Sequence, residues 1–193
     1  MPRAAFPLIL AAFLTAIVVQ IAPVPPPIAQ ATADCSRPTY ATDMLVCDDP
    51  ALKAIDDRLK SALAAAPMTE VGTPLIEDQA AWFRRSRRCA FQTQHRACIS
   101  DAYSERLSVL AFAAPAPPAG QCLLSDKTAA TFSEVPGGAA LLWNGRLISV
   151  GMVPTPPWQP FVTYRPRGNS ANFRDLSGRS VATCRFATQK GQR

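Results

Sequence analysis

The placement of six cysteines limits what this 193-residue chain can fold into. Cys35, Cys47, Cys89 and Cys98 precede a proline-rich break, and Cys122 and Cys184 follow it. Ahead of them stands a segment with the grammar of a secretory leader. Arg3 is followed by an uncharged apolar run from Ala4 to Ala22, and two A-x-A sites close the segment at Ala29-Gln30-Ala31 and Ala31-Thr32-Ala33. Cleavage after Ala31 or Ala33 is expected to leave a mature chain that begins just before Cys35. The alternative is a retained anchor, because the apolar run is near the roughly 18-residue lower limit for a membrane span. Asp34 stands where a bacterial lipoprotein needs a small residue, which argues against lipidation of Cys35. Export to the periplasm or beyond gives the cysteines an oxidising compartment, so all six are candidates for structural disulfides.

Ala113-Ala114-Pro115-Ala116-Pro117-Pro118-Ala119-Gly120 lacks charge and bulk and reads as an extended linker. The expected division is a signal peptide over 1–33, a helical domain over 34–112, this linker over 113–120 and a β-domain over 121–193. Each unit is small, with a thin core that disulfides would supplement. The formal net charge of +6 suits contact with anionic envelope polymers. Export excludes nucleic acid as the natural partner, and a membrane is a partner only if the leader is retained.

Helical periodicity fills the first half. Asp49-Pro50 is a helix start, with Asp as N-cap and Pro at the first helical position. Leu52, Ile55, Leu59 and Leu63 follow as one apolar stripe. Thr73-Pro74 predicts a second helix with Leu75, Gln79, Trp82 and Phe83 inward, and Ile99, Tyr103, Leu107 and Leu110 predict a third. An antiparallel hairpin brings Cys47 and Cys89 to one pole, with Cys35 and Cys98 able to bridge there; four cysteines allow three pairings, all left open. Arg84, Arg85, Arg87 and Arg88 form the densest charge run. They are candidates for binding an anion, or for serving a helix C-terminus opposite Asp43, Asp48 and Asp49.

Residues 35–110 resemble the N-terminal domain of the LprI-type lysozyme inhibitor family. The resemblance rests on Cys35, on Cys47-Asp48-Asp49-Pro50-Ala51-Leu52 with Asp56 and Leu59, and on Gln79-Ala80-Ala81-Trp82-Phe83. It continues through Cys89 and Cys98-Ile99 to Tyr103, Arg106, Leu107 and Leu110. The family usually carries an arginine three residues before the third cysteine, where this chain has Ser86. The resemblance implies an exported helical unit, and c-type lysozyme or another glycan hydrolase as partner.

The second half alternates as short strands. Ala139 to Trp143 and Arg146 to Val150 flank Asn144-Gly145, a type I′ hairpin signal. Pro136-Gly137-Gly138 is another turn, Val162 to Tyr164 and Ser180 to Cys184 are further strands, and Pro154 to Pro160 is a loop with Trp158 exposed or packed over an end. A Cys122–Cys184 bridge would tie first strand to last, worth roughly 4 kcal/mol in the chain-entropy account. In outline this half is similar to the MliC/PliC-type lysozyme inhibitors, small β-barrels with a terminal disulfide; Cys122, Tyr164, Phe173, Gly178 and Cys184 fall in the matching order. The serine and lysine that family inserts into lysozyme are absent at the matching places near Pro160-Phe161 and Ser177-Gly178.

The fold class expected is therefore α+β: an N-terminal disulfide-clamped three-helix domain followed by a small antiparallel β-sheet or barrel domain. Catalysis is not expected. His95 is the single histidine, neighbouring cysteines are better used as disulfides, and no metal-ligand set or cofactor motif stands in the sequence. The expected function is a non-catalytic exported binding protein, a lysozyme inhibitor acting by steric occlusion. Asp43, Asp48, Asp49, Asp56 and Asp57 are the candidates for meeting a basic enzyme. The alternative is an envelope protein that recognises an anionic surface polymer, or another envelope protein, with the arginine run.

Overall fold

A computed structural model describes residues 31–65, 75–111 and 117–187. The expected leader up to residue 30, Thr73-Pro74 and the heart of the expected linker lie outside the described residues.

The described residues of the first half form four α-helices where three were expected: α1 (Ala41–Asp48), α2 (Pro50–Ala65), α3 (Gln79–Ser86) and α4 (His95–Leu110), with a 3₁₀ turn over Arg87–Phe91. Periodicity misses α1 because two of its three buried residues, Thr42 and Asp43, are polar. Asp49 caps α2 as expected, its carboxylate accepting from the Ala51 and Leu52 amides at 2.9 and 3.2 Å. Leu52 and Leu59 are fully buried. The helix expected from Thr73 begins instead at Gln79, capped by Asp78, whose Oδ1 accepts from the Ala81 amide at 2.8 Å. Leu75 lies before that helix and packs against the core of the second half.

The disulfides of this half are Cys35–Cys47 and Cys89–Cys98. Both are local, with sequence separations of 12 and 9 residues. One ties the incoming chain to α1; the other closes the 3₁₀ turn onto the first turn of α4. Neither joins the two ends of the expected hairpin, because the additional helix α1 takes Cys47 as a local partner for Cys35.

The second half is a closed seven-stranded barrel of β1 (Gly120–Leu124), β2 (Ala129–Val135), β3 (Gly138–Trp143), β4 (Arg146–Met152), β5 (Val162–Arg167), β6 (Ser170–Asp175) and β7 (Ser180–Phe186). The β3–β4 turn is the one predicted, with Asn144 and Gly145 at φ 50° and 75°. Cys122 and Cys184 are register partners on β1 and β7 and are bridged. The expected all-antiparallel pairing gives way to a mixed barrel, since β4 and β5 are parallel. Parity requires this: strand direction reverses at every antiparallel neighbour, and a ring must return to its starting direction. Seven neighbours therefore include at least one parallel pair. The crossover between β4 and β5 supplies it and must travel back along the outside.

That crossover, residues 153–161, joins the two halves. Trp158 is not exposed on it; its side chain is 5% accessible and belongs to the core of the helical half, among Trp82, Phe83, Ile99 and Tyr103. The indole N–H donates to Glu105 Oε2 on α4. Ala33 joins the same core, 3% exposed, and its amide reaches Asp56 Oδ1 at 3.3 Å.

Two outcomes follow for stability. Trp158→Ala should destabilise the helical half by about 3–5 kcal/mol, as for other buried Trp deletions, read by urea unfolding followed at 222 nm. A chain beginning at Asp34 should be less stable than one beginning at Thr32 by about 1–3 kcal/mol, having lost the Ala33 amide and its core contact; matched thermal melts check this.

Candidate functional site

The residues proposed to meet a partner divide by accessibility. Asp43 and Asp56 are fully buried. Asp56 receives the Ala33 amide and Lys60 Nζ, the latter at 2.6 Å. Together with burial, Asp56 and Asp43 push the Tyr103 hydroxyl upward, burial contributing most. Asp49 is held by Arg96 at 2.5 Å, and that hydrogen bond, with the amides it caps, keeps its carboxyl below the usual range. Asp57 pairs with Lys53 at 2.9 Å, whose hydrogen bond likewise lowers it. Asp48 is exposed. A continuous acidic face is therefore not what these five carboxylates form; two face the core, and two of the others are compensated locally.

The arginine run divides in the same way. Arg85 points into the junction of the two halves. Its guanidinium meets Glu77 at 2.6 Å and Glu105 at 3.6 Å, donates to the Gln159 carbonyl at 2.7 Å, and lies 4.1 Å from the Trp158 ring centroid. Glu105, 5% exposed, also accepts from the Phe161 amide at 2.8 Å. Burial pushes its carboxyl up, and Arg85 opposes that shift. Arg87 stacks on Tyr40 and Phe83 at 3.5 and 4.5 Å. Arg84 and Arg88 are exposed. Half of the run thus holds the protein together and half faces solvent.

Sequence reasoning overlooked Phe91. It ends the 3₁₀ turn inside the Cys89–Cys98 loop and is 89% exposed. An aromatic side chain costs free energy in water, and here a disulfide fixes the backbone that presents it. Arg88 precedes it by three residues in the same turn. The signal was present in the sequence as an aromatic between two closely spaced cysteines, but its meaning depends on which cysteines pair. His95 lies at the far side of the loop, with Nε2 3.5 Å from the Thr42 hydroxyl, and burial lowers its pKa. Among the described residues no group of three His, Cys, Asp or Glu side chains is placed to hold a metal ion.

The chain is similar to lipoprotein LprI of Mycobacterium bovis and of Mycobacterium tuberculosis, at 33% identity over 132 residues covering 64% of this chain and 67% of each relative. It belongs to the LprI family. No family model and no solved structure matches it. The elements that carried the LprI resemblance now have a physical meaning. Arg106 donates to Gln79 Oε1 at 2.6 Å and to the Glu77 carbonyl at 2.7 Å, and lies 5.9 Å from the Trp82 ring. Trp82 meets Tyr103 edge-on at 5.2 Å, and Gln79 Nε2 donates to the Ala31 carbonyl at 2.5 Å. Ser86, where LprI-type chains usually carry arginine, is fully buried and donates to the Phe83 carbonyl at 2.8 Å. Most of the shared elements build the interior, Leu52, Leu59, Trp82, Phe83, Tyr103 and Arg106 among them, whereas Asp48, Pro50 and Ala51 face solvent. The relatives are named lipoproteins, whereas all six cysteines here are in disulfides and no thiol is left to carry a lipid.

The two classes of arginine separate in a stability experiment. Arg85→Ser leaves Glu77 and Glu105 without their shared cation and should cost about 3–5 kcal/mol. Arg88→Ser and Phe91→Ser should stay within about 0.5 kcal/mol of the parent. Chemical denaturation of the three variants reads the difference.

Proposed function

We propose that this protein is an exported, non-catalytic inhibitor that occludes the substrate cleft of a lysozyme-type glycan hydrolase with its Cys89–Cys98 loop. The observation that carries this reading is Phe91, 89% exposed on a disulfide-closed loop beside Arg88, in a chain of the LprI family. Glycan hydrolases flank the scissile bond with a pair of carboxylates. An arginine paired with such a carboxylate makes a charge-assisted hydrogen bond, and a phenylalanine occupies a place shaped for a sugar face. A loop held by a disulfide loses little conformational freedom on binding.

The distribution of charge supports this orientation. Residues 31–111 hold ten Lys and Arg against eleven Asp and Glu, while residues 117–187 hold seven against three. A basic enzyme is thus repelled by the barrel and approached at little electrostatic cost by the helical half. Complementarity is needed only inside the cleft, which removes the requirement for an acidic face on α1 and α2. The Cys35–Cys47 and Cys89–Cys98 bridges and the A-x-A sites support function in an oxidising compartment.

Micromolar protein should inhibit c-type lysozyme in a cell-wall turbidity assay. Phe91→Ser should weaken inhibition by about tenfold or more, the loss of one aromatic anchor, without changing the melting temperature. Absence of inhibition by the parent protein, or an unchanged inhibition constant in Phe91→Ser, would sink the loop assignment.

A further inference from the structure

The surplus positive charge of residues 117–187 has a location. Val162 and Tyr164, Ala171 and Phe173, and Ala182 and Cys184 point into the barrel core. The alternate residues of the same strands therefore point outward. In register, Arg167 on β5 stands opposite Ser170 on β6, Ser170 opposite Arg185 on β7, and Arg185 opposite Gln121 on β1. The next outward row is Arg165, Asn172, Thr183 and Leu123. Arg165, Arg167 and Arg185 are exposed and make no ion pair among the described residues. No carboxylate stands in either row. With strands about 4.8 Å apart, Arg167 and Arg185 sit roughly 10 Å from each other across the sheet.

Beside these rows a groove of about 740 Å³ crosses the outer face of β1, β2 and β7. Gln121, Leu123, Thr183 and Arg185 line it, and the Asn144–Gly145 turn walls one side. Groove and arginines share Arg185, so they form one continuous surface.

We propose that this outer face of the barrel binds an anionic glycan chain. Three arginines without carboxylate partners set the sign of the ligand, since a guanidinium forms paired hydrogen bonds with carboxylate or phosphate groups. The hydroxyls and amides between them, on Ser170, Asn172, Thr183 and Gln121, both donate and accept, as sugar hydroxyls require. No aromatic side chain lines the groove among the described residues, so it lacks the stacking platforms that single-stranded nucleic acid uses. The surface lies on the barrel, apart from the Cys89–Cys98 loop, and the inference stands without the inhibitor reading.

The test is binding of the exported protein to polygalacturonate, a uronic acid polymer, with neutral dextran and a single-stranded DNA oligonucleotide as the other arms. Binding to polygalacturonate should weaken as salt rises, and dextran should not bind. Replacement of Arg165, Arg167 and Arg185 by Ser should weaken polygalacturonate binding by about tenfold per arginine, the worth of a hydrogen bond to a charged group. Arg84→Ser with Arg88→Ser should leave it unchanged. Circular dichroism of the triple variant should match the parent, because all three side chains are exposed. The proposal is overturned if polygalacturonate does not bind, if the DNA binds more tightly at equal charge, or if the Arg84 and Arg88 pair, and not the barrel triple, carries the binding.

Discussion

Glu105 is the pivot of this molecule. It stands on α4 in the helical half, and both of its oxygens are used by the crossover of the barrel half: one by the Trp158 indole, the other by the Phe161 amide. A buried carboxylate with two donors still needs a cation, and Arg85 provides it from the last turn of α3 while also holding Glu77 and the Gln159 carbonyl. Removing any one partner leaves a charge or a strong donor in a dry place, which is far more costly than the net gain from forming the contact. The geometry therefore fixes how α3, α4 and the crossover sit together, and the indole of Trp158 completes a core that the helical residues do not fill alone. Two units that look separable by composition are interlocked at this point.

The barrel's odd strand number and this interlock are connected. Parity demands a parallel neighbour, a parallel neighbour demands a crossover, and the crossover is the segment that reaches the helical half. An eight-stranded antiparallel ring would have no need of such a segment. The feature that spoils the regularity of the barrel is thus the one that attaches it to the rest of the protein.

Much of this was legible beforehand. The Asp49 cap, the Leu52 and Leu59 stripe, the Asn144-Gly145 hairpin and the Cys122–Cys184 closure are local or near-symmetric signals, and each stands in the structure as read. The hidden parts were those where polar residues face inward. Helix α1 buries Thr42 and Asp43, so its pattern looks like a loop. Asp56 and Arg85 read as surface charges because periodicity assigns charge to solvent, whereas here each has a partner from a distant part of the chain. Trp158 looked like a loop residue because proline surrounds it; only the approach of α4 gives it a place to go. The candidate surfaces had the same difficulty. Phe91 acquires meaning from the pairing of Cys89 with Cys98, and the arginine rows on the barrel from strand register, neither of which the sequence displays.

The barrel's two chain ends leave side by side. Gly120 pairs with Phe186, and the Ala187 amide donates to the Ala119 carbonyl at 2.8 Å. A pull on the C-terminal tail against the linker would unzip β1 from β7 one hydrogen bond at a time, the weakest way to load a sheet. Two residues inward, Cys122–Cys184 stops that zipper covalently. Force then passes from linker to tail through a single sulfur–sulfur bond, and the five strands between lie outside its path. The bridge lets the barrel keep its outer face intact under a load at these two ends that would peel an unbridged sheet apart.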